Sequence, residues 1–400
     1  MSDLPKPPPL LFLVLLSALM LGSVHIVAPA MPAIARDLHA NISVVQWTMT
    51  VYVATVAVGQ LIYGQLSDRF GRKPPLLFGL ALFMVGTVVC WLAPSAAILL
   101  VGRFLQGAGA CACTVLSRAM LRDTYPAERI TVAMAYFGMG MGLAPAVSPL
   151  LGGFIDVQFG WRASFIFLLV FAVVMLAVAS RQKETLRSRS EVLGIGIFFA
   201  NFGRLMGMPR FAGYSVLWGV QTLLFFAFAA TAPVLAIQTL GVRSDLYGLF
   251  YIAIPAGYMV GNFALTRLAR RCAPPQLMFW STFGIVAVIL LMALLFVVNG
   301  LSLAGLFVPM GLVCCLQGVL VPQLQAVAVG LNPKMIGVAS GTLGFVQMSA
   351  GGLGTFIISL IETGTGAALV WLIVVSALAA VPAMWIGNNG LSLKPMGQGA

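Results

Sequence analysis

The chain has 400 residues, 60% of them hydrophobic and only 8% charged, with a formal net charge of +12. Its mean hydropathy of +1.03 is far outside the range of soluble globular proteins, so the chain is an integral membrane protein with little length left for a soluble domain. Its basic residues are scattered in small groups over many loops, which excludes the single groove or stripe that binds nucleic acid.

A membrane helix needs about 20 apolar residues, and the segments between polar breaks predict about twelve of them. After a proline-rich tail, Pro5 to Pro9, the first span runs from Leu10 to Ile34 and carries His25, Pro29 and Pro32. It is read as a span rather than a cleaved leader, because only Lys6 precedes it as a basic residue and no clear cleavage site follows. The second span, Val45 to Leu66, carries Trp47, Tyr52 and Gln60.

Next comes a charged turn, Gly64-Gln65-Leu66-Ser67-Asp68-Arg69-Phe70-Gly71-Arg72-Lys73-Pro74. Each of these charges would cost about 2.5 to 3.5 kcal/mol in hydrocarbon, so the turn sits at a membrane surface. Gly64 is placed to let helices approach, Gly71 to adopt angles other residues resist, and Pro74 to start the next helix. Spans three and four follow at Pro75 to Ala93 and Ala96 to Ser117; the fourth holds Arg103, the one basic residue well inside any span. A loop from Arg118 through Arg122 and Asp123 to Tyr125 is expected after it.

Span five, Val132 to Ile155, is rich in helix-bending and close-packing residues, among them Gly142, Pro145, Pro149, Gly152 and Gly153. Pro149, Gly152 and Gly153 are expected to hold a close contact with the second half of the chain. Gly160-Trp161-Arg162 opens span six, Ala163 to Ser180. The polar stretch from Arg181 to Arg210 is the midpoint, and its apolar insert, Val192 to Phe202, is too short to cross and is expected along the membrane surface. Six more spans follow, at Tyr214 to Ile237, Leu246 to Thr266, Pro275 to Val298, Ser302 to Ala328, Met335 to Ile361 and Ala367 to Trp385.

The expected organisation is a bundle at 1–180, a linker at 181–211 and a second bundle at 212–400. Shifting the first charged turn by 198 residues places Arg69 on Arg267, Arg72 on Arg270 and Lys73 on Arg271, a sign of internal duplication; Asn262 and Thr266 replace the glycine and aspartate. The fold class is therefore all-α, with about twelve membrane helices in two six-helix, pseudo-symmetric bundles around a central cavity. With both termini inside, the outside loops carry only Arg36, Arg162 and Arg243, as the positive-inside rule requires.

Five motifs carry a family resemblance. The turn from Gly64 to Lys73 resembles the G-x-L-x-D-R-x-G-R-K signature of the major facilitator superfamily. Leu99 to Ala110 resembles its fourth-helix signature, L-x-x-x-R-x-x-Q-G-x-G-A, with every fixed position filled. Ser148 to Gly153 resembles the fifth-helix G-P-x-x-G-G of antiporters, with a serine for the first glycine. Arg118 to Tyr125 and Gly337-Val338-Ala339-Ser340-Gly341 are similar to the Bcr/CflA group of drug:proton antiporters. This resemblance implies proton-coupled, alternating-access efflux of small molecules, including antibiotics, by a monomer in a bacterial-type inner membrane. It also implies that Gly64, Asp68, Arg69, Gly71, Arg72, Arg118, Arg122 and Asp123 form a conformational latch on the cytoplasmic side.

Inside the spans the chemistry is sparse. Every carboxylate falls in a tail, a loop or a span end, which leaves His25 and Arg103 as the ionisable candidates for a proton or substrate cavity. His25 lies about 22 Å along the first helix and Arg103 about 10 Å in from the outer end of the fourth, at similar depth. Arg103 has a second reading, in which it binds backbone carbonyls that hold the fourth helix in place. Gln60, Gln106, Gln221, Gln317 and Gln347, with Tyr52, Trp218, Phe225 and Phe226, are further cavity candidates. The Bcr/CflA first helix reads D-M-Y-L-P-A-x-P where this chain reads His25 to Pro32, so His25 stands in the place of an aspartate. An arginine nearby favours an ionised aspartate and works against a protonated histidine, so the cavity should carry the charge of Arg103 and suit neutral or anionic solutes.

A metabolite carrier with altered or absent proton coupling is the alternative. No catalytic constellation, phosphate-binding glycine loop or metal-ligand spacing among the six cysteines is present, so neither enzyme activity nor a cofactor or metal is expected.

Overall fold

The computed structural model describes residues 7–125, 127–186, 195–332 and 336–388, and within these it leaves the side chains of 127–132, 134–136, 138–143, 146, 195–199, 201 and 336–337 undescribed. The motif at Gly337 therefore lies partly outside the described residues, as does the linker at 187–194. The described chain is helical. α1 (Leu10–His25) leads through a single 3-10 turn (Ala28–Ala30) to α2 (Met31–Asp37), followed by α3 (Ile42–Phe70), α4 (Lys73–Trp91), α5 (Ala96–Thr124), α6 (Ala127–Phe159) and α7 (Arg162–Arg181). α8 (Ile195–Met206) precedes α9 (Pro209–Pro233), α10 (Ser244–Tyr251), α11 (Ala253–Leu268), α12 (Pro274–Asn299), α13 (Leu303–Gly330), α14 (Ile336–Ile361) and α15 (Ala367–Asn388). Among the described residues, 11 helical segments are long and apolar enough to cross a membrane. α6 is 33 residues long, and its segment Val147–Phe159 is a further, shorter apolar helix.

The chain divides into two compact units, Met1–Ile195 with Arg243–Gly248, and Gly196–Val242 with Leu249–Ala400. In the first unit α4 packs on α5 and α7, α3 on α5, and α1 on α5 and α6. In the second, α12 packs on α13 and α15, α11 on α13, and α9 on α13 and α14. Position for position these are the same pairings, so the duplication that three basic residues hinted at is written in the packing of both units. It survives sequence divergence because each pairing needs only small or apolar residues on a helix face.

Two sequence expectations are corrected. The first span is not one helix: α1 ends at His25. The reason is local, since Pro29 and Pro32 have no N–H to donate to the carbonyls of His25 and Ala28, so the α-helical ladder cannot continue through them. The segment Arg118 to Thr124 is not a loop but the last two turns of α5, because its small and apolar residues face the bundle, with Ala119, Met120 and Leu121 all buried.

Glycines set the helix spacing. A Cβ at Gly109 would strike the backbone of Gly79 and Phe83, so α5 and α4 touch main chain to main chain there. Replacing Gly109 with valine should lower stability by about 1–3 kcal/mol or more through overpacking. The check is a thermal melt followed with a thiol-reactive fluorophore, since Cys90, Cys111, Cys113 and Cys314 are buried until the protein unfolds.

Candidate functional site

The interior of the first unit holds a buried polar cluster built on Arg103. α5 carries this arginine into apolar surroundings at 1% exposure, where an unpaired charge would be untenable. Its Nε donates to Thr48 O at 3.3 Å and its Nη1 to Ser23 O at 3.1 Å and Gln106 Oε1 at 2.5 Å. Gln106, one turn along α5, donates in turn to Thr87 Oγ1 on α4 at 2.9 Å. The Tyr52 ring of α3 covers the guanidinium with its centroid 4.3 Å from Cζ, which adds a cation–π contact. The Tyr52 hydroxyl lies 2.5 Å from Ser23 Oγ and donates to Met20 O at 3.0 Å.

The end of α1 explains part of this arrangement. Ser23 is among its last four residues, whose carbonyls lack partners inside a helix, and Arg103 fills one of those vacant positions. His25, two residues on, is buried at 1% exposure and within electrostatic reach of Arg103. Gly152 closes the other side: a Cβ there would collide with Ile26 O, so α6 lies against the broken stretch of backbone. This corrects the expectation for Gly152, which meets the first half of the chain. Gly153 lies against the main chain of Ser244, in the segment Arg243–Gly248 that clusters with the first unit. Pro149 is buried beside them, Pro145 is partly buried, and the surroundings of Gly142 lie outside the described residues.

A second constellation sits at the α3–α4 turn. Arg72 is its centre: Nε donates to Asp123 Oδ2 at 2.7 Å, while Nη1 donates to Asp68 Oδ1 at 2.5 Å and Ser67 Oγ at 2.8 Å. The Asp68 side chain is 55% exposed and the Asp123 side chain 19%, so the α5 aspartate is the better shielded partner. Burial disfavours the Arg72 charge, but the two carboxylates outweigh it and raise its pKa above the ordinary arginine value. Glu184, just past α7, accepts backbone N–H bonds from Arg72 at 2.8 Å and Lys73 at 3.1 Å, and also from Thr185 and Leu186. Its partial burial opposes ionisation, yet these four donors win and hold its carboxyl below the ordinary 4.5.

Gly71 has φ 97°, and a Cβ on it would strike the Glu184 carboxylate. Gly64 does not serve as expected, since a Cβ there would meet nothing within 4 Å. Arg69 stacks on the neighbouring Phe70 ring, Arg118 is partly buried on α5, and Arg122 is exposed. The opposite end of the same unit has its own clasp. Asp37 accepts from Arg162 Nη1 at 2.5 Å and from Trp161 Nε1 at 3.1 Å, and Arg162 Nη2 reaches Ala93 O at 3.1 Å.

In the second unit Gln221 of α9 and Gln317 of α13 are joined by a 3.0 Å hydrogen bond. Trp218 is buried, Gln347 is half-buried on α14, and in the first unit Gln60 is half-buried on α3. Sequence reasoning overlooked Ser23, Thr48, Ser67, Thr87 and Glu184. Main-chain acceptors such as Thr48 O leave no mark in a sequence, but Glu184 does: it is the first acid in the basic run after Ser180.

Two outcomes follow. Asp123→Asn should expose the α3–α4 turn more than Asp68→Asn, by about fivefold for each 1 kcal/mol of difference between the pairs; cysteine accessibility kinetics at that turn measure it. Glu184 has a lowered folded-state pKa, so its stabilisation is complete above the ordinary carboxylate range and disappears as pH falls through 4.5 toward the lowered value. Glu184→Gln should therefore lower the melting temperature at neutral pH and flatten its decline in acid, as melts at stepped pH would record.

The chain matches the family model described as Major Facilitator Superfamily over residues 11–355. It is 32% identical over 363 residues to "Multidrug resistance protein D" of Escherichia coli (strain K12), covering 89% of this chain and 90% of that one. To a "Chloramphenicol resistance protein" of Pseudomonas aeruginosa it is 30% identical, covering 88% of this chain and 82% of the relative. Its fold is similar to the crystal structure of a D-xylose-proton symporter, with a TM-score of 0.75 at 15% identity over 94% of this chain and 96% of the other.

Proposed function

Because this chain belongs to the major facilitator superfamily, we propose that it is a proton-coupled secondary transporter exporting drug-like neutral or anionic molecules by alternating access. The observation that carries the reading is the buried cluster of His25, Tyr52, Arg103 and Gln106 deep in the apolar first unit. Membrane helices hold such groups where a solute or ion passes, and elsewhere they are costly. Relatives named for multidrug and chloramphenicol resistance support the substrate class, and chloramphenicol is itself uncharged.

In this reading the Arg72–Asp68–Asp123–Glu184 network is a cytoplasmic latch that forms in one conformational state and releases in the other. The positive-inside bias supports placing both termini in the cytoplasm of a bacterial-type cell, and the reading takes the protein as a monomer in the inner membrane. The aspartate of the related group is replaced here by His25, which favours a second reading: a carrier of a specific metabolite whose proton coupling is altered or absent.

Transport in proteoliposomes separates the two. With an imposed pH gradient, the wild type should accumulate chloramphenicol against its concentration. His25→Gln should lose that accumulation while keeping substrate exchange. Absence of gradient-driven chloramphenicol accumulation in both proteins supports the metabolite reading, and efficient export of quaternary ammonium dyes by the wild type contradicts the charge argument.

A further inference from the structure

The second unit contains a chain of hydrogen bonds that ends on donors without acceptors. On α13, Cys314 Sγ points its hydrogen to Gln317 Oε1 at 3.8 Å. Gln317 Nε2 donates across to α9, to Gln221 Oε1 at 3.0 Å and to Gln221 O at 3.4 Å. A main-chain carbonyl can only accept, so it fixes which end of the Gln317 amide faces α9. That in turn fixes Gln221, whose Oε1 must face Gln317 and whose Nε2 must face away.

Gln221 Nε2 is buried and has no hydrogen-bond partner; neither does the indole Nε1 of Trp218. Both side chains are only 3% exposed. Three residues apart on one helix, they are neighbours on its surface. They lie about 14 and 18 Å along the crossing that begins at Pro209, near the middle of the bilayer, where water is scarce. Buried donors are usually satisfied, and while other buried atoms among the described residues also lack partners, Gln65 Nε2 and Arg210 Nε among them, Trp218 and Gln221 place two such donors on neighbouring positions of one helix, which points to an acceptor that arrives with a ligand.

We propose that Trp218 and Gln221 form a substrate subsite in the second unit that recognises an oxygen acceptor, such as the carbonyl, nitro or carboxylate group of a neutral or anionic solute. Gln317 positions the Gln221 amide for this role. The subsite rests on the transport reading and deepens it by naming the group the solute must present. A solute with only cationic and apolar surface gains nothing from these two N–H donors, because it has no acceptor to receive them.

The test uses the full-length protein in lipid nanodiscs with two probes: labelled chloramphenicol, which carries an amide carbonyl and a nitro group, and tetraphenylphosphonium, a cation without oxygen. Trp218→Phe keeps the aromatic surface and removes the N–H; Gln221→Met keeps the volume and removes the amide. Each should weaken chloramphenicol binding about five- to tenfold, the worth of one hydrogen bond, and leave tetraphenylphosphonium binding unchanged. Gln323→Met, a buried glutamine bonded within its own helix, should change neither. Because Gln221→Met also removes the acceptor of Gln317, Trp218→Phe provides a second, independent measurement should the first variant fold poorly.

Unchanged chloramphenicol affinity in both folded variants overturns the subsite and indicates that water satisfies these donors. A wild type that binds the cation but not chloramphenicol overturns it too. Counterflow in proteoliposomes keeps the two ideas apart: failure of the subsite leaves counterflow intact, whereas failure of the transport reading abolishes it for every solute.

Discussion

A guanidinium in an apolar helix bundle must find acceptors within the protein, and the first unit is arranged around that requirement. Arg103 cannot shed its charge, so the carbonyls of Ser23 and Thr48, the Gln106 amide and the Tyr52 ring are all committed to it. The Ser23 carbonyl belongs to the last turn of α1, where two prolines end the helical ladder. Removal of those prolines would extend α1 and compete for the same acceptor. One helix break thus joins α1 to α5, leaves His25 within electrostatic reach of the charge and gives Gly152 a bare backbone to pack against.

Arg103 also holds helices together. Its bonds to main-chain carbonyls are those of a residue that holds α5 against α1 and α3. A solute reaching it would add to, or exchange for, contacts that already stabilise the unit. The guanidinium thus ties the position of α5 to those of α1 and α3.

The two ends of the first unit are pinned differently. At the α3–α4 turn, Arg72 is held by two aspartates from different helices while Glu184 collects main-chain donors. At the other end one arginine, Arg162, bridges Asp37 and the Ala93 carbonyl. These partly exposed ion pairs contribute modestly to stability, so they suit contacts that form and break. The buried cluster between them does not share that freedom.

Composition and hydropathy alone settled that the chain is a polytopic membrane protein, because hydrocarbon tolerates only long apolar helices. The charged turn and the Arg103 motif marked the family and two of the side chains that matter. The spacing of basic residues hinted at duplication, since charge at loop ends is selected in each copy. Tertiary structure decided the rest. That Arg72 and not Asp68 is the centre of the turn, and that Glu184 joins it, depends on residues 51 and 112 positions away meeting Arg72 in space. The acceptors of Arg103 are largely backbone atoms, which every residue carries and no residue type announces. Likewise, the direction of the Gln317–Gln221 bond follows from a main-chain carbonyl on a neighbouring helix, and only packing brings it there.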